Sequence, residues 1–158
     1  MDKNAKRAAQ REFDSVCAAL TERGWDYDKD KENYSLGFLS DGKEMRFSIT
    51  VKINPELKVV SVYVILPFLA PKDKEGQLAV ALALINDEVV HGNFEYDGAA
   101  ERVIFRASTS YLDSSLDKDV YFYLIAAAFS TADSAAATIK AMCDSAASPE
   151  QVLAAVTR

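Results

Sequence analysis

Apolar positions along this chain recur first with the period of a helix and then with the period of a strand, and the switches between the two divide the sequence. Phe13, Val16, Cys17 and Leu20 stand at i, i+3, i+4 and i+7, one stripe of a helix over about residues 4–23, with Gly24 as its stop. Period two follows. Tyr34, Leu36 and Phe38 share one side of a first strand, and Ser40–Lys43 (SDGK) turns it into a second. That second run, MRFSITVKI, alternates Met45, Phe47, Ile49, Val51 and Ile53 with Arg46, Ser48, Thr50 and Lys52, so one face must be buried and the other wet. Asn54-Pro55 opens another turn. The run KVVSVYVILP then places Val60, Val62, Val64 and Leu66 on the inner parity. Its outer parity, Val59, Ser61, Tyr63 and Ile65, is less polar than that of its neighbour.

The helical period returns in KDKEGQLAVALALINDEVV, where Leu78, Ala81, Leu82 and Ile85 form one stripe and Val80 and Leu84 a second that a one-sided surface helix does not need. A hairpin follows, with Phe94 and Tyr96 facing inward from one strand and Val103 and Phe105 from the other; Glu95, Arg102 and Arg106 take the outer parity, where charges can pair across strands. A helix from near Asp117 to about Ser145 has Val120, Leu124, Ala128, Ile139 and Met142 on its inner side, and its middle, AAAFSTADSAAAT, is small enough to accommodate a kink. Ser148, Pro149 and Gln151 read as the capped start of a short helix over residues 149–157. The order is α-β-β-β-α-β-β-α plus a small terminal helix. This predicts a single α+β domain over residues 1–158, with its core at about 10–145. The architecture expected is a two-layer sandwich of a five-stranded antiparallel sheet with helices on one face.

Composition narrows the function classes. The chain is acidic, with net charge -6, and an acidic surface disfavours nucleic acid and anionic lipid as partners. The N-terminus has no apolar segment of a secretory signal, and the run VYFYLIAAAF is too short for a membrane span, so a cytoplasmic location is expected. The sole histidine, His91, excludes polyhistidine metal sites and relays; its place between a helical and a strand pattern marks it as part of the joint, with Gly92 as the helix stop. Cys17 and Cys143 fall in apolar helical segments, where thiols are inert. The Ser108–Ser110 cluster lacks a nucleophile-elbow pattern. Asp26, Asp28, Asp30 and Glu32 are spaced faintly like a calcium loop, but Asn33 and Leu39 stand where that loop needs Gly and Glu, so the stretch reads as a solvated connector. No phosphate loop or dinucleotide fingerprint occurs. No catalytic, metal or cofactor site is expected. Trp25, just after the first helix, either seals a core end or lines a pocket between that helix and the sheet, and a ligand-binding or enzymatic role would sit there.

Asn86, then Gly92, Phe94 and Glu95, then Val103, Phe105 and Arg106, then Leu116 and Asp117 form a pattern that resembles the YbjN-type domain, a family of bacterial sensory transduction regulators related in fold to type III secretion chaperones. The resemblance covers about residues 10–143, with Asn93 where the family commonly has Arg. It implies that the strand through Val103 and Phe105 lies beside the strand through Val60 and Val62. It also implies helices on one face, frequent homodimers and no enzyme activity. The resulting expectation is a non-enzymatic protein-binding or regulatory module, with a secretion chaperone holding an effector segment as the alternative. Val80 and Leu84 are the expected homodimer interface, and Tyr63, Ile65 and Ile104 the expected surface for a protein partner.

Overall fold

The computed structural model describes residues 3–112 and 114–144. Helix α1 (Lys3–Glu22) is followed by strands β1 (Asp28–Asp30), β2 (Ser35–Asp41), β3 (Arg46–Asn54) and β4 (Val59–Ile65), helix α2 (Glu75–Asp87), strands β5 (Asn93–Asp97) and β6 (Arg102–Ser110), and helix α3 (Lys118–Asp144). The strands form one antiparallel sheet in the order β1-β2-β3-β4-β6-β5. The sheet thus has six strands rather than five. The additional strand is β1, whose Asp-Lys-Asp sequence is exposed throughout and carries no apolar residue to signal a strand. β6 lies beside β4, as the family resemblance implied.

One face of the sheet is dry. Phe47, Ile49, Val51 and Ile53 of β3 are buried, as are Val60, Val62 and Val64 of β4, Phe94 of β5, and Val103, Phe105 and Ala107 of β6. They pack against Ala9, Phe13, Val16 and Leu20 of α1, Leu78, Ala81, Leu82 and Ile85 of α2, and the buried side of α3. Alternation on β3 and β4 therefore dictates both the register and the side on which the helices must lie.

Leu124, Ala128, Ile139 and Met142 of α3 are buried as its sequence predicts, and only its first turn departs from that side. There Tyr121 is buried while Val120 is 37 % exposed, because neighbouring apolar residues are equivalent in the sequence and packing selects between them. It runs unbroken for 27 residues. Length and composition alone would let α3 cross a membrane, which corrects the reading that the apolar run here is too short. Its apolar side chains are instead spent on the core: Tyr121, Leu124, Ile125, Ala128, Ala132 and Ile139 are all buried. The terminal helix expected at 149–157 lies outside the described residues.

Three hairpin turns use one device. Asp30, Asn54 and Asp97 each accept, at Oδ1, the backbone N–H groups two and three residues ahead, at 2.9–3.2 Å. Four residues on, Tyr34, Lys58 and Glu101 take positive φ values of 49°, 53° and 50°. The Asx side chain stands in for a backbone acceptor and the left-handed residue returns the chain to the sheet. The end of α1 follows equally local rules. Trp25 N–H donates to Leu20 C=O at 3.1 Å and Gly24 N–H to Thr21 C=O at 3.0 Å, the paired bonds of a glycine-stopped helix.

Candidate protein-binding face

Among the described residues the helices leave the opposite face of the sheet uncovered. Antiparallel register arranges its side chains in rows across the strands. One row runs from Leu39 through Ser48, Ile65 and Ile104 to Glu95, and the next from Gly37 through Thr50, Tyr63 and Arg106 to Asn93. Tyr63, Ile65 and Ile104 are therefore neighbours, as the sequence pattern required of one surface, and each is half-buried. Leu39, 60 % exposed, extends the apolar row toward β1 and was missed by sequence reasoning. Its signal was present: it is an apolar residue on the parity of Ser35 and Gly37, opposite to Leu36 and Phe38. At the other end of the rows Arg106 forms an ion pair with Glu95, which also accepts from Asn93 Nδ2 at 3.0 Å.

The two edges of the sheet differ. On β5, Asn86 at the end of α2 closes the edge: its Oδ1 accepts Phe94 N–H at 2.7 Å and its Nδ2 donates to Phe94 C=O at 3.1 Å. The side-chain amide thereby takes the place that a further strand would occupy. On the opposite side β1 pairs only with Ser35–Gly37 of the seven-residue β2. Tyr34 C=O and Gly42 N–H bond toward β3 at the two ends of β2. The alternation of an antiparallel ladder then directs the N–H and C=O of Leu39 and Asp41 away from β3. Among the described residues no strand receives them. Beside this gap lies an open depression of ≈ 360 Å³ lined by Trp25, Asp26, Phe38, Leu39, Ser40 and Arg46. Trp25 stands edge-on to Phe38 and Phe122, with ring centroids 5.3 and 6.2 Å away, and remains 40 % exposed; it forms the rim of the depression rather than a plug in the core.

Val80 and Leu84 lie elsewhere, on α2 in the helical layer, where Val80 is 51 % exposed and Leu84 half-buried. Sequence reasoning extended this helix to about Val90 and assigned Gly92 as its stop. α2 ends at Asp87, with Glu88 N–H bonded to Ile85 C=O. Gly92, at φ +93°, instead serves the entry to β5: a Cβ there would lie 2.4 Å from Arg106 O and 2.8 Å from the Phe105 ring. His91 is exposed and stands edge-on to Tyr123 at 5.5 Å.

The remaining candidate groups are scattered. Cys17 is held beside Tyr27, and Cys143 is buried at the far end of α3; burial raises both thiol pKa values above the ordinary range, which favours the unreactive protonated form. Asp30, whose pKa is lowered by its bonds to Asn33, caps a turn. No group of three or more His, Cys, Asp or Glu among the described residues could hold a metal ion.

A buried carboxylate went unpredicted. Glu12 of α1 is fully buried. It accepts Leu116 N–H at 3.0 Å and Tyr121 Oη–H at 2.7 Å on Oε2, and Arg11 Nε–H at 3.1 Å on Oε1. Arg11 donates onward to Ser114 C=O at 2.5 Å. Burial, then the bond to Glu12, pushes the Tyr121 phenol pKa far above its ordinary value. This cluster fastens α1 to the entry of α3, which Asp117 caps by accepting Asp119 N–H at 2.9 Å.

The described residues form an α+β domain with three helices on one face of an antiparallel sheet. The chain belongs to the YbjN family, whose model, described as "Putative bacterial sensory transduction regulator", matches residues 12–141. Its fold is shared by YbjN from E. coli, described as a transcription regulator (10 % identity, TM-score 0.62, 82 % of this chain and 89 % of that one). It is also shared by a structure of the ExsC–ExsE complex (13 %, 0.59, 84 % and 92 %) and one of the HopA1–SchA chaperone–effector complex (11 %, 0.56, 92 % and 99 %). A search of curated protein sequences finds no match.

The family signature now has a physical reading. Asn86 closes the β5 edge, Gly92 permits close approach, Phe94 and Phe105 stack edge-on at 4.8 Å, Glu95 pairs with Arg106, and Leu116 and Asp117 start α3. Asn86→Ala is expected to cost about 2 kcal/mol, because it strands the Phe94 amide and carbonyl. Urea titration measures the loss, and amide exchange should quicken at Phe94 before the rest of the sheet.

Proposed function

We propose that this chain is a non-enzymatic protein-binding module, a regulator or chaperone, that receives an extended segment of a partner protein at the open edge of β2. The segment's side chains then meet Leu39, and the chain beyond the paired stretch crosses the outer face over Ile65, Ile104 and the neighbouring Tyr63. The observation that carries this reading is the juxtaposition of an unpaired stretch of β2 with an uncovered apolar row. Strand addition supplies affinity through the backbone and selectivity through alternate side chains. The fold shared with two complexes of chaperone type supports an extended protein ligand over a small molecule. The depressions of this surface are open and shallow, unlike an enclosed ligand site.

Leu39→Pro provides a selective test. The N–H it removes is the one directed off the edge, so the β2–β3 ladder survives. Affinity capture from the native cell with wild type, Leu39→Pro and Ile65→Asp should yield a partner that wild type retains. Each variant should bind it roughly tenfold or more weakly, the loss of about 1.4 kcal/mol or more typical of an interface anchor. Equal binding by all three, with their folds intact by circular dichroism, would refute the proposed face.

A further inference from the structure

The depression at the open edge of β2 is approached from two sides of the sheet. β1 leaves the ladder at Asp28, and the chain before it comes from the end of α1, where Trp25 N–H is bonded to Leu20 C=O. Trp25 and Asp26 therefore reach the edge from the helical side. Register gives that same side Phe38 and Ser40 of β2, which stand opposite the buried Ile49 and Phe47 of β3, while Leu39 takes the outer face. A strand added beside Leu39 alternates in the same way. Its residue level with Leu39 lies on the outer face. The neighbours of that residue in sequence, level with Phe38 and Ser40, enter the depression against Trp25 and Asp26.

Charge distinguishes what those neighbours are. The arginines around the depression are already matched. Arg46 pairs with Asp41 at 3.3 Å; Arg23 pairs with Asp119 at 3.9 Å and lies 3.5 Å from the centroid of the Phe122 ring. Asp26 is exposed and forms no ion pair among the described residues. Beside it stands the 40 % exposed ring of Trp25, the aromatic type that attracts a cation most strongly. A ring next to an unmatched carboxylate suits Lys or Arg: the apolar stem and the cation lie on the ring, and the N–H groups donate to the carboxylate. An acidic side chain in the same place would set two like charges together. The net charge of -6 also draws a basic segment toward the chain and slows an acidic one.

We infer that the extended segment received at β2 is basic, with an apolar residue against Leu39 and an Arg or Lys next to it in sequence held by Trp25 and Asp26. This rests on the proposed edge pairing and names the partner's chemistry there. Random peptides displayed on phage, selected on the full wild-type chain and then synthesised, provide the test. Selected peptides should carry Arg or Lys next to an apolar residue and should bind more weakly as salt rises. They should also change the emission of Trp25, the only tryptophan. Asp26→Asn should weaken binding about fivefold, and Trp25→Leu roughly twofold to fivefold. Asp26→Lys should weaken it further, and Glu in place of the peptide's Arg or Lys should restore binding to that variant. Peptides that require Leu39, being lost with Leu39→Pro, but bind Asp26→Lys as well as wild type would overturn this inference alone. Peptides indifferent to Leu39→Pro, or a library from which none is selected, would overturn the edge pairing and this inference with it.

Discussion

Gly92→Ala is expected to destabilise the protein by about 3 kcal/mol, combining a left-handed backbone that costs an L-residue roughly 1–2 kcal/mol with an overlap that costs roughly 1–3. The added methyl would sit 2.4 Å from the Arg106 carbonyl oxygen, a backbone atom that cannot move without tearing β6 from β5. Gly24→Ala is the matched control. Its φ is also positive, at +71°, but nothing lies within 4 Å of the new methyl, so only the conformational cost of about 1 kcal/mol remains. Urea midpoints of the two variants separate backbone strain from collision. Equal losses would mean that the approach of the chain at Gly92 to β6 is not what the residue provides.

The second large effect is expected at Glu12. Glu12→Ala removes the acceptor for Leu116 N–H and the Tyr121 hydroxyl in a site without water access, a loss of about 3–5 kcal/mol by analogy with broken buried ion pairs. Glu12→Gln keeps one acceptor oxygen and should cost roughly half as much. Tyr121→Phe should cost about 1–2 kcal/mol, and the double variant should cost less than the sum, since both changes break one bond. The pair also predicts an alkaline limb. The folded state holds the Tyr121 proton more tightly than the unfolded chain, whose phenol titrates at about 10. The stability from this group is complete below that pH and falls as the pH rises above it, because the unfolded state then binds fewer protons. Tyr121→Phe should flatten the slope of stability against pH in that range. Tyr111, raised chiefly by burial, retains its own share. An unchanged slope would mean that the phenol is not the group that resists ionisation.

The contrast between Gly92 and Glu12 shows what can be read along a chain. Gly92 belongs to a local pattern, a glycine ahead of an alternating Phe-Glu-Tyr run, and its importance was legible even though its task was misjudged. Glu12 sits within the buried stripe of α1, between Ala9 and Phe13, and a charge on an apolar stripe is a visible anomaly. Its meaning was not visible, because Leu116 and Tyr121 lie more than a hundred residues away. Leu39 was overlooked for a related reason: a single apolar residue on a polar parity has no significance until the register sets it in line with Ile65 and Ile104.

The sequence by itself determined the order of α1, α2, α3 and the strands β2 to β6, the inward face of β3, β4 and β6, and the glycine stop of α1. It also determined the family pattern from Asn86 to Asp117. Those features follow from periodicity and from turn and cap chemistry, which act over a few residues. The tertiary structure alone decided that Asp28–Asp30 is a strand, since a charged segment becomes one only when β2 offers it an edge. It alone buried Tyr121 rather than Val120 in the first turn of α3, where neighbouring apolar residues are equivalent in the sequence and packing selects between them. It alone left β2 open at one edge of the sheet while Asn86 closed β5 at the other, because the pairing of an edge depends on which groups the rest of the fold brings beside it.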